Sequence, residues 1–247
     1  MAPFSRSAFS VLVFAWTCAS TSASVPEPLQ KAVAALASAP GYTWTSTVTG
    51  GDGSPLRFGG ANVKGKVDAE GTAVIVTETR QTSLTTVVRG ETVVLGTQDG
   101  WFILEEFRAR VRGGQPGPAG VGSRARGGEA GSPTLPAEDL ARMIAAADSL
   151  EGGGDSWTGT IPADKTAGLV PGLGRGRGMA GEARIEATLA VHLVDAAVKR
   201  YTIRTTGTLP GRDGDPQPID LLTTVEIDAI GATTVEIPPA AAARLDG

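Results

Sequence analysis

The fold is decided by two strand-like runs near the C-terminus, Val198-Lys-Arg-Tyr-Thr-Ile-Arg204 and Leu221-Leu-Thr-Thr-Val-Glu-Ile-Asp228. Their β-branched and aromatic residues suit a pleated surface. The segment Val235-Glu-Ile-Pro-Pro239 follows. Because prolines cannot continue a hydrogen-bonded ladder, the sheet is expected to end before them. Residues 240–245 are predicted to form a short helical tail.

A third strand is predicted immediately upstream, over residues 182–194. Its apolar residues recur at a spacing that fits one face of a helix, but they also alternate with a period of two. The short segment Asp195-Ala-Ala197 would turn the chain back into the run that begins at Val198. A hairpin of two antiparallel strands is therefore favoured over a helix.

The first half of the chain predicts a meander of antiparallel strands. Gly90 can adopt the positive φ that a tight hairpin requires, and Asp99-Gly100 marks a second turn. The predicted strands cover residues 42–48, 63–67, 72–79, 84–88, 92–95 and 101–104, with a further short strand at 157–161.

Two helices are predicted, over residues 28–39 and 136–150, because their apolar residues share one face. Acidic Glu138 and Asp139 favour the N-terminal end of the second helix. The glycine- and proline-rich stretches at 108–135, 165–181 and 210–218 are predicted to be irregular, and the first of them to be a flexible loop. This order predicts an α+β chain with one strongly curved antiparallel sheet packed over a few helices.

The N-terminus has the pattern of an export signal. Arg6 supplies a positive charge, Phe9 to Ala19 is a short apolar stretch, and Thr21-Ser-Ala-Ser24 offers small residues for cleavage. The predicted organisation is a signal peptide over 1–24 and a single domain over 25–247, exported to the periplasm or the exterior. An uncleaved anchor is the alternative. No later segment is long and apolar enough to be predicted to cross a bilayer.

The only cysteine, Cys18, lies inside this signal. Lipid anchorage at Cys18 is disfavoured, because bulky Trp16 stands where a lipoprotein signal needs a small residue. The mature chain would then have neither a disulfide nor thiol chemistry.

Several chemistries are disfavoured by composition and context. A net charge of −4 opposes nucleic-acid binding, which needs a basic face. A zinc site is disfavoured because His192 is the only histidine. The Gly-x-Gly-x-x-Gly match at 176–181 lacks a preceding strand, and the acidic turns at Asp52 and Asp213 lack the closing glutamate of a calcium loop. No metal or cofactor is predicted.

The chain resembles the outer-membrane lipoprotein carrier and lipoprotein-sorting superfamily, which includes mycobacterial-type lipid-binding lipoproteins. The resemblance rests on the signal, the early helix with Tyr42-Thr-Trp44, the Gly-Thr-Gln-Asp-Gly-Trp stretch that ends at Trp101, the strand pair around Asp195, and the ending from Thr223. It implies an incomplete β-barrel over helices, with an apolar cavity for acyl chains. The same ending is shared with uncharacterised exported bacterial proteins, and the 108–135 insertion departs from the pattern.

The predicted function is therefore an exported, non-enzymatic protein of the cell envelope that binds a hydrophobic or lipidic ligand. Residues predicted to line the cavity are Trp44, Val74, Val87, Val94, Trp101, Ile103, Leu140 and Ile144. Arginines predicted to meet lipid headgroups or an acidic partner are Arg108, Arg110, Arg112, Arg124 and Arg126. The alternative is an envelope interaction module with a filled core and no ligand. A hydrolase that uses His192 is a third hypothesis.

Overall fold

The computed structural model describes residues 25–51, 62–79, 83–113, 133–166, 184–210 and 215–246. The predicted signal peptide lies outside these residues. The helices are α1 (Glu27–Ala37), α2 (Leu104–Arg112), α3 (Pro136–Ala146), α4 (Ala163–Thr166) and α5 (Pro239–Leu245). The strands are β1 (Gly41–Gly50), β2 (Asn62–Asp68), β3 (Ala73–Glu78), β4 (Ser83–Arg89), β5 (Thr92–Thr97), β6 (Gly100–Ile103), β7 (Ser149–Gly153), β8 (Ser156–Ile161), β9 (Arg184–Val194), β10 (Ala197–Pro210) and β11 (Pro216–Asp228).

All the described strands form one antiparallel sheet of 11 strands, in the order β6-β5-β4-β3-β2-β1-β11-β10-β9-β8-β7. The N-terminal meander and the C-terminal strands meet where β1 pairs with β11, with Trp44 opposite Ile227. The sheet does not close, because β6 and β7 each have a neighbour on one side only. This architecture confirms the predicted α+β class and is consistent with an incomplete barrel.

The alternation of side chains gives the sheet two faces. The inner face is defined by Trp44, Ile227 and Tyr201, which belong to the largest buried apolar cluster together with residues of α1 and α3. Helix α2 also covers part of the inner face, because its residues Leu104 and Phe107 pack on Val93 and Leu95. The outer face carries threonines such as Thr43 and Thr45 on β1, and α5 packs on its β5–β6 end.

Two hairpins show why these strands turn where they do. Gly90 has φ 57°, which confirms the predicted hairpin between β4 and β5. Between β9 and β10, Asp195 (φ 51°) and Ala196 (φ 61°) are both left-handed, as a two-residue turn between twisted strands requires. The strand predicted over 182–194 is confirmed by β9. The alternation of apolar residues with a period of two was therefore the correct indication, and the helical spacing was not.

Helix α2 corrects the predicted loop at 108–135. The loop was predicted from arginine and glycine content, but residues 104–112 are helical. Leu104 and Phe107 are three residues apart and both are buried, so the helix has an apolar face to pack on β5. Glu105 and Glu106 lie in its first turn, where acidic residues favour a helix. Residues 114–132 lie outside the described residues.

A second correction concerns the predicted helix over 136–150. Helix α3 ends at Ala146, because Ala147 takes an extended conformation and the amide of Asp148 donates to the Thr160 carbonyl. The chain then forms β7, which pairs with β8. The glycines predicted to stop the helix instead belong to this hairpin. Likewise, β10 and β11 extend into the predicted loop at 210–218, where Pro210 pairs with Pro216.

Candidate functional site

The eight predicted cavity residues lie on both faces of the sheet. Trp44, Leu140 and Ile144 belong to the inner-face cluster. The other five lie on the outer face around α5, and they are Val74, Val87, Val94, Trp101 and Ile103. The eight residues therefore do not line one site. The alternation of side chains within each strand was predicted correctly. It does not determine which residues of neighbouring strands share a face of the sheet.

The inner face contains both tyrosines of the chain, Tyr42 on β1 and Tyr201 on β10. They are 3 % and 2 % exposed. Both lie against the first turn of α3, where the Tyr201 hydroxyl donates to the Pro136 carbonyl over 3.5 Å, a long hydrogen bond. The Tyr42 ring also packs on Trp44, with 5.7 Å between the ring centroids. We call Tyr42, Tyr201 and residues 136–139 the tyrosine cluster.

A register shift in β10 brings Tyr201 to the inner face. Val198 pairs with Leu193 and Arg200 pairs with His192, so the pairing slips by one residue between them. Val198 and Tyr201 are both buried, although strict alternation would place residues three apart on opposite faces. Irregularities of this kind bend a strand and redirect a side chain. The shift therefore turns a polar aromatic residue into the interior.

Two polar atoms of the inner-face cluster are buried without a hydrogen-bond partner. They are the Tyr42 hydroxyl and the indole Nε1 of Trp157. Burial raises the pKa of the Tyr42 hydroxyl, and the nearby backbone amide of Ala137 offsets part of that rise without meeting the geometry of a hydrogen bond. Helix α3 has Leu135 at its N-cap and no side-chain cap. The first backbone amides of α3 are therefore further hydrogen-bond donors near the tyrosines, and no side chain caps them.

Burial keeps both tyrosine hydroxyls protonated. The pKa of Tyr201 is raised well above its usual value, first by burial and then by the Asp139 carboxylate and by Tyr42, with Arg142 acting in the opposite direction. The pKa of Tyr42 is also raised by burial, and Glu138 contributes. At neutral pH both groups are neutral hydroxyls that can donate one hydrogen bond and accept others.

An ion pair borders the cluster on the side of the solvent. Arg142 Nη2 lies 2.8 Å from Asp139 Oδ1, and the two side chains are 50 % and 28 % exposed. Burial raises the pKa of Asp139, while Arg142 lowers it. The positive charge that acts on Tyr201 is thus already paired with a carboxylate.

The second unpartnered group, Trp157 on β8, lies on the same face as the tyrosines. Trp157 pairs with Val191 on β9, and Val191 pairs with Tyr201 on β10. Two strand spacings therefore separate Trp157 from Tyr201, which is about 10 Å. In the sequence, Trp157 was a residue of a predicted short strand that could line either a cavity or an ordinary core, and the tyrosines were given no functional role. Their signal was that each tyrosine alternates with a large apolar residue of its strand, Tyr42 with Trp44 and Tyr201 with Ile203.

The predicted arginine cluster is only partly described. The guanidinium of Arg108 pairs with Glu105 within α2. Arg110 and Arg112 belong to the same helix, and Arg124 and Arg126 lie outside the described residues. The role predicted for these five arginines therefore stays a prediction.

His192 is exposed on the outer face of β9, opposite Ser156 and Arg200. Across the described ranges, no three side chains of the metal-binding residue types gather around a common point. The glycine-rich segment at 176–181 and the acidic turns at Asp52 and Asp213 lie outside those ranges. In the same ranges, no helix has the length and hydropathy needed to cross a bilayer.

No protein-family profile and no curated protein matches the chain. Among solved structures, the chain is similar to the Mycobacterium tuberculosis lipoprotein LppX, with a TM-score of 0.41 and 14 % sequence identity. The match covers 84 % of this chain and 95 % of LppX.

Proposed function

We propose that this protein is an exported, non-enzymatic carrier that binds a hydrophobic or lipidic ligand between the inner face of the sheet and helix α3. One observation carries the proposal: the Tyr42 hydroxyl and the Trp157 indole N–H are buried without partners beside the largest apolar cluster. Each such group costs about 1–3 kcal/mol, and native proteins retain few of them. A ligand with polar atoms would supply the missing partners.

The way α3 is attached supports entry of a ligand beneath it. Leu140, Met143 and Ile144 hold α3 on the inner face through apolar packing. The polar link between Tyr201 and Pro136 is long, at 3.5 Å. An acyl chain that inserts under α3 would replace one set of apolar contacts by another. Its burial would contribute about 25 cal/mol per Å² before the costs of association.

The chemistry of the cluster favours binding over catalysis. Both tyrosine hydroxyls hold their protons at neutral pH, since burial raises the pKa of each. A hydroxyl nucleophile needs an adjacent base. His192 stands on the opposite face of the sheet. The hydrolase hypothesis would need this histidine to act on the inner face.

The first test is mass spectrometry of organic extracts of the purified mature protein, with uptake of a fluorescent acyl ester as a second measurement. We expect a stoichiometric lipid in the extract or saturable uptake after delipidation. Trp44→Phe changes the inner face and Trp101→Phe is its matched control on the outer face. We expect weaker uptake for the first variant and unchanged uptake for the second. A clean extract without uptake would contradict the proposal and favour a filled-core module.

A further inference from the structure

The tyrosine cluster combines several hydrogen-bond donors at one end of an apolar interior. The Tyr42 hydroxyl has no partner, the Tyr201 hydroxyl makes only a long bond, and α3 begins without a side-chain cap. Leu140 follows one turn later on α3, and Trp44 packs on Tyr42, so apolar surface adjoins the donors directly. An elongated ligand can therefore place its chain on the apolar residues and one oxygen at the hydroxyls.

The charges around the cluster discriminate between kinds of oxygen. The carboxylates of Glu138 and Asp139 both raise the pKa of a tyrosine of the cluster, so both exert a negative potential at these hydroxyls. Arg142 opposes them, but it is paired with Asp139. The paired charges of Arg142 and Asp139 largely cancel, so the full negative charge of Glu138 remains and exceeds the positive charge of about half a unit at the start of α3. An ionised carboxylate would be repelled there, whereas a neutral carbonyl would accept the same hydrogen bonds at no such cost.

We infer that Tyr42, Tyr201 and the first turn of α3 form a subsite for an uncharged carbonyl oxygen, so that the ligand class is an acyl ester and not a free fatty-acid anion. This inference rests on the proposed function. Tyr42 is the principal donor, because its hydroxyl gains a partner without losing one. Tyr201 contributes by exchanging its long bond to Pro136 for a shorter one to the ligand.

The test uses three fluorescent probes with the same chain length and fluorophore: a methyl ester, the corresponding free acid at pH 8, and a hydrocarbon. Wild-type protein should bind the ester about tenfold more tightly than the ionised acid. Tyr42→Phe should weaken ester binding about five- to tenfold, the range expected for one lost hydrogen bond. The same variant should leave hydrocarbon binding unchanged. Trp101→Phe on the outer face should change none of the three.

The outcomes separate this inference from the function on which it rests. If no probe binds to the wild-type protein, the proposed function is overturned and the subsite with it. If the hydrocarbon binds but Tyr42→Phe keeps the full ester preference, the subsite alone is overturned. Tighter binding of the acid than of the ester would also overturn it. Thermal unfolding of each variant identifies losses caused by misfolding, which would weaken all three probes equally.

Discussion

On both the inner and the outer face of the sheet, a tryptophan ring covers a glycine of the neighbouring strand, but the surroundings of the two rings differ. On the inner face, the Trp44 ring lies flat over Gly65, where a Cβ would fall 2.0 Å from the ring. On the outer face, the Trp101 ring covers Gly96 at 2.7 Å from the corresponding position. Trp44 is 5 % exposed inside the largest cluster, whereas Trp101 is half-buried at the margin of the smaller α5 cluster.

The difference shows that an apolar surface alone does not indicate a ligand site. The outer-face residues Val87 and Val94 pack against Ala241 of α5. The C-terminal end of α5 is held by the ion pair of Arg89 with Asp246 and by the hydrogen bond that Arg244 donates to the Trp101 carbonyl. Neither of the unpartnered buried polar atoms of the described residues lies there. Both lie in the inner cluster, where we expect the ligand.

The largest contrast is expected from equivalent truncations in α3 and α5. Leu140→Ala removes a fully buried side chain from the inner cluster and should lower the free energy of unfolding by about 3 kcal/mol. Leu245→Ala removes a partly buried side chain from the outer cluster and should cost about 1 kcal/mol. Urea unfolding measures both. Equal costs would mean that α5 is as integral to the fold as α3.

The two glycines provide the next contrast. Gly65→Ala should cost about 2–3 kcal/mol, since a Cβ would fall 2.0 Å from the Trp44 ring, which is buried in the inner cluster. Gly96→Ala should cost less than about 1 kcal/mol, because the ring of Trp101 can move outward. Thermal melts of both variants test this expectation. A smaller cost at Gly65 than at Gly96 would show that the inner cluster has spare volume around Trp44.

Alkaline titration probes the tyrosines directly. Up to about pH 9 both are neutral in the folded and the unfolded chain. Above it, the unfolded chain loses their protons while the folded chain retains them, because the pKa of each is raised. Stability should therefore fall as pH rises, by up to about 1.4 kcal/mol per pH unit for each tyrosine.

The combined Tyr42→Phe and Tyr201→Phe variant should lose that part of the pH dependence, as measured by urea midpoints between neutral and alkaline pH. Since the chain has only two tyrosines, tyrosinate absorbance reports on this cluster alone. Ionisation of either residue near pH 10 in the folded protein would contradict the placement of both hydroxyls in the interior.

The smallest expected effect is a gain in stability. Tyr42→Phe removes a buried hydroxyl that has no partner, so it should raise the free energy of unfolding by about 1 kcal/mol. Tyr201→Phe is the matched variant, and it should be neutral or slightly destabilising because its hydroxyl bonds Pro136. Differential scanning calorimetry without ligand measures both. A destabilised Tyr42→Phe variant would mean that its hydroxyl has a partner in solution.

The sequence predicted strands better than it predicted their joint arrangement. Period-two patterns and turn residues such as Gly90 act locally, so the meander and the β9–β10 hairpin followed from them. Helix α2 was missed because its arginines suggested a loop, while its packing on β5 depends on distant contacts. The pairing of β1 with β11 joins residues that are far apart in the sequence, such as Thr43 and Asp228, and no local signal specifies it.

The site was less predictable for the same reason. Trp44, Leu140 and Ile144 lie in the inner cluster, but the sequence could not separate them from the outer-face residues with which they were grouped. Tyr42 and Tyr201 meet only through the β1–β11–β10 pairing and the register shift at Val198. A shift of one residue is invisible in a run of seven strand-forming residues, yet it decides which side chain enters the interior.

Hydrogen–deuterium exchange with and without a saturating neutral acyl ester tests the central claim most directly, because it compares both faces in one experiment. Binding under α3 should slow amide exchange in Pro136–Ala146 and in the strands that carry Tyr42 and Tyr201, and should leave Pro239–Leu245 unchanged. Protection confined to α5, or no change in either region, would contradict a ligand site on the inner face.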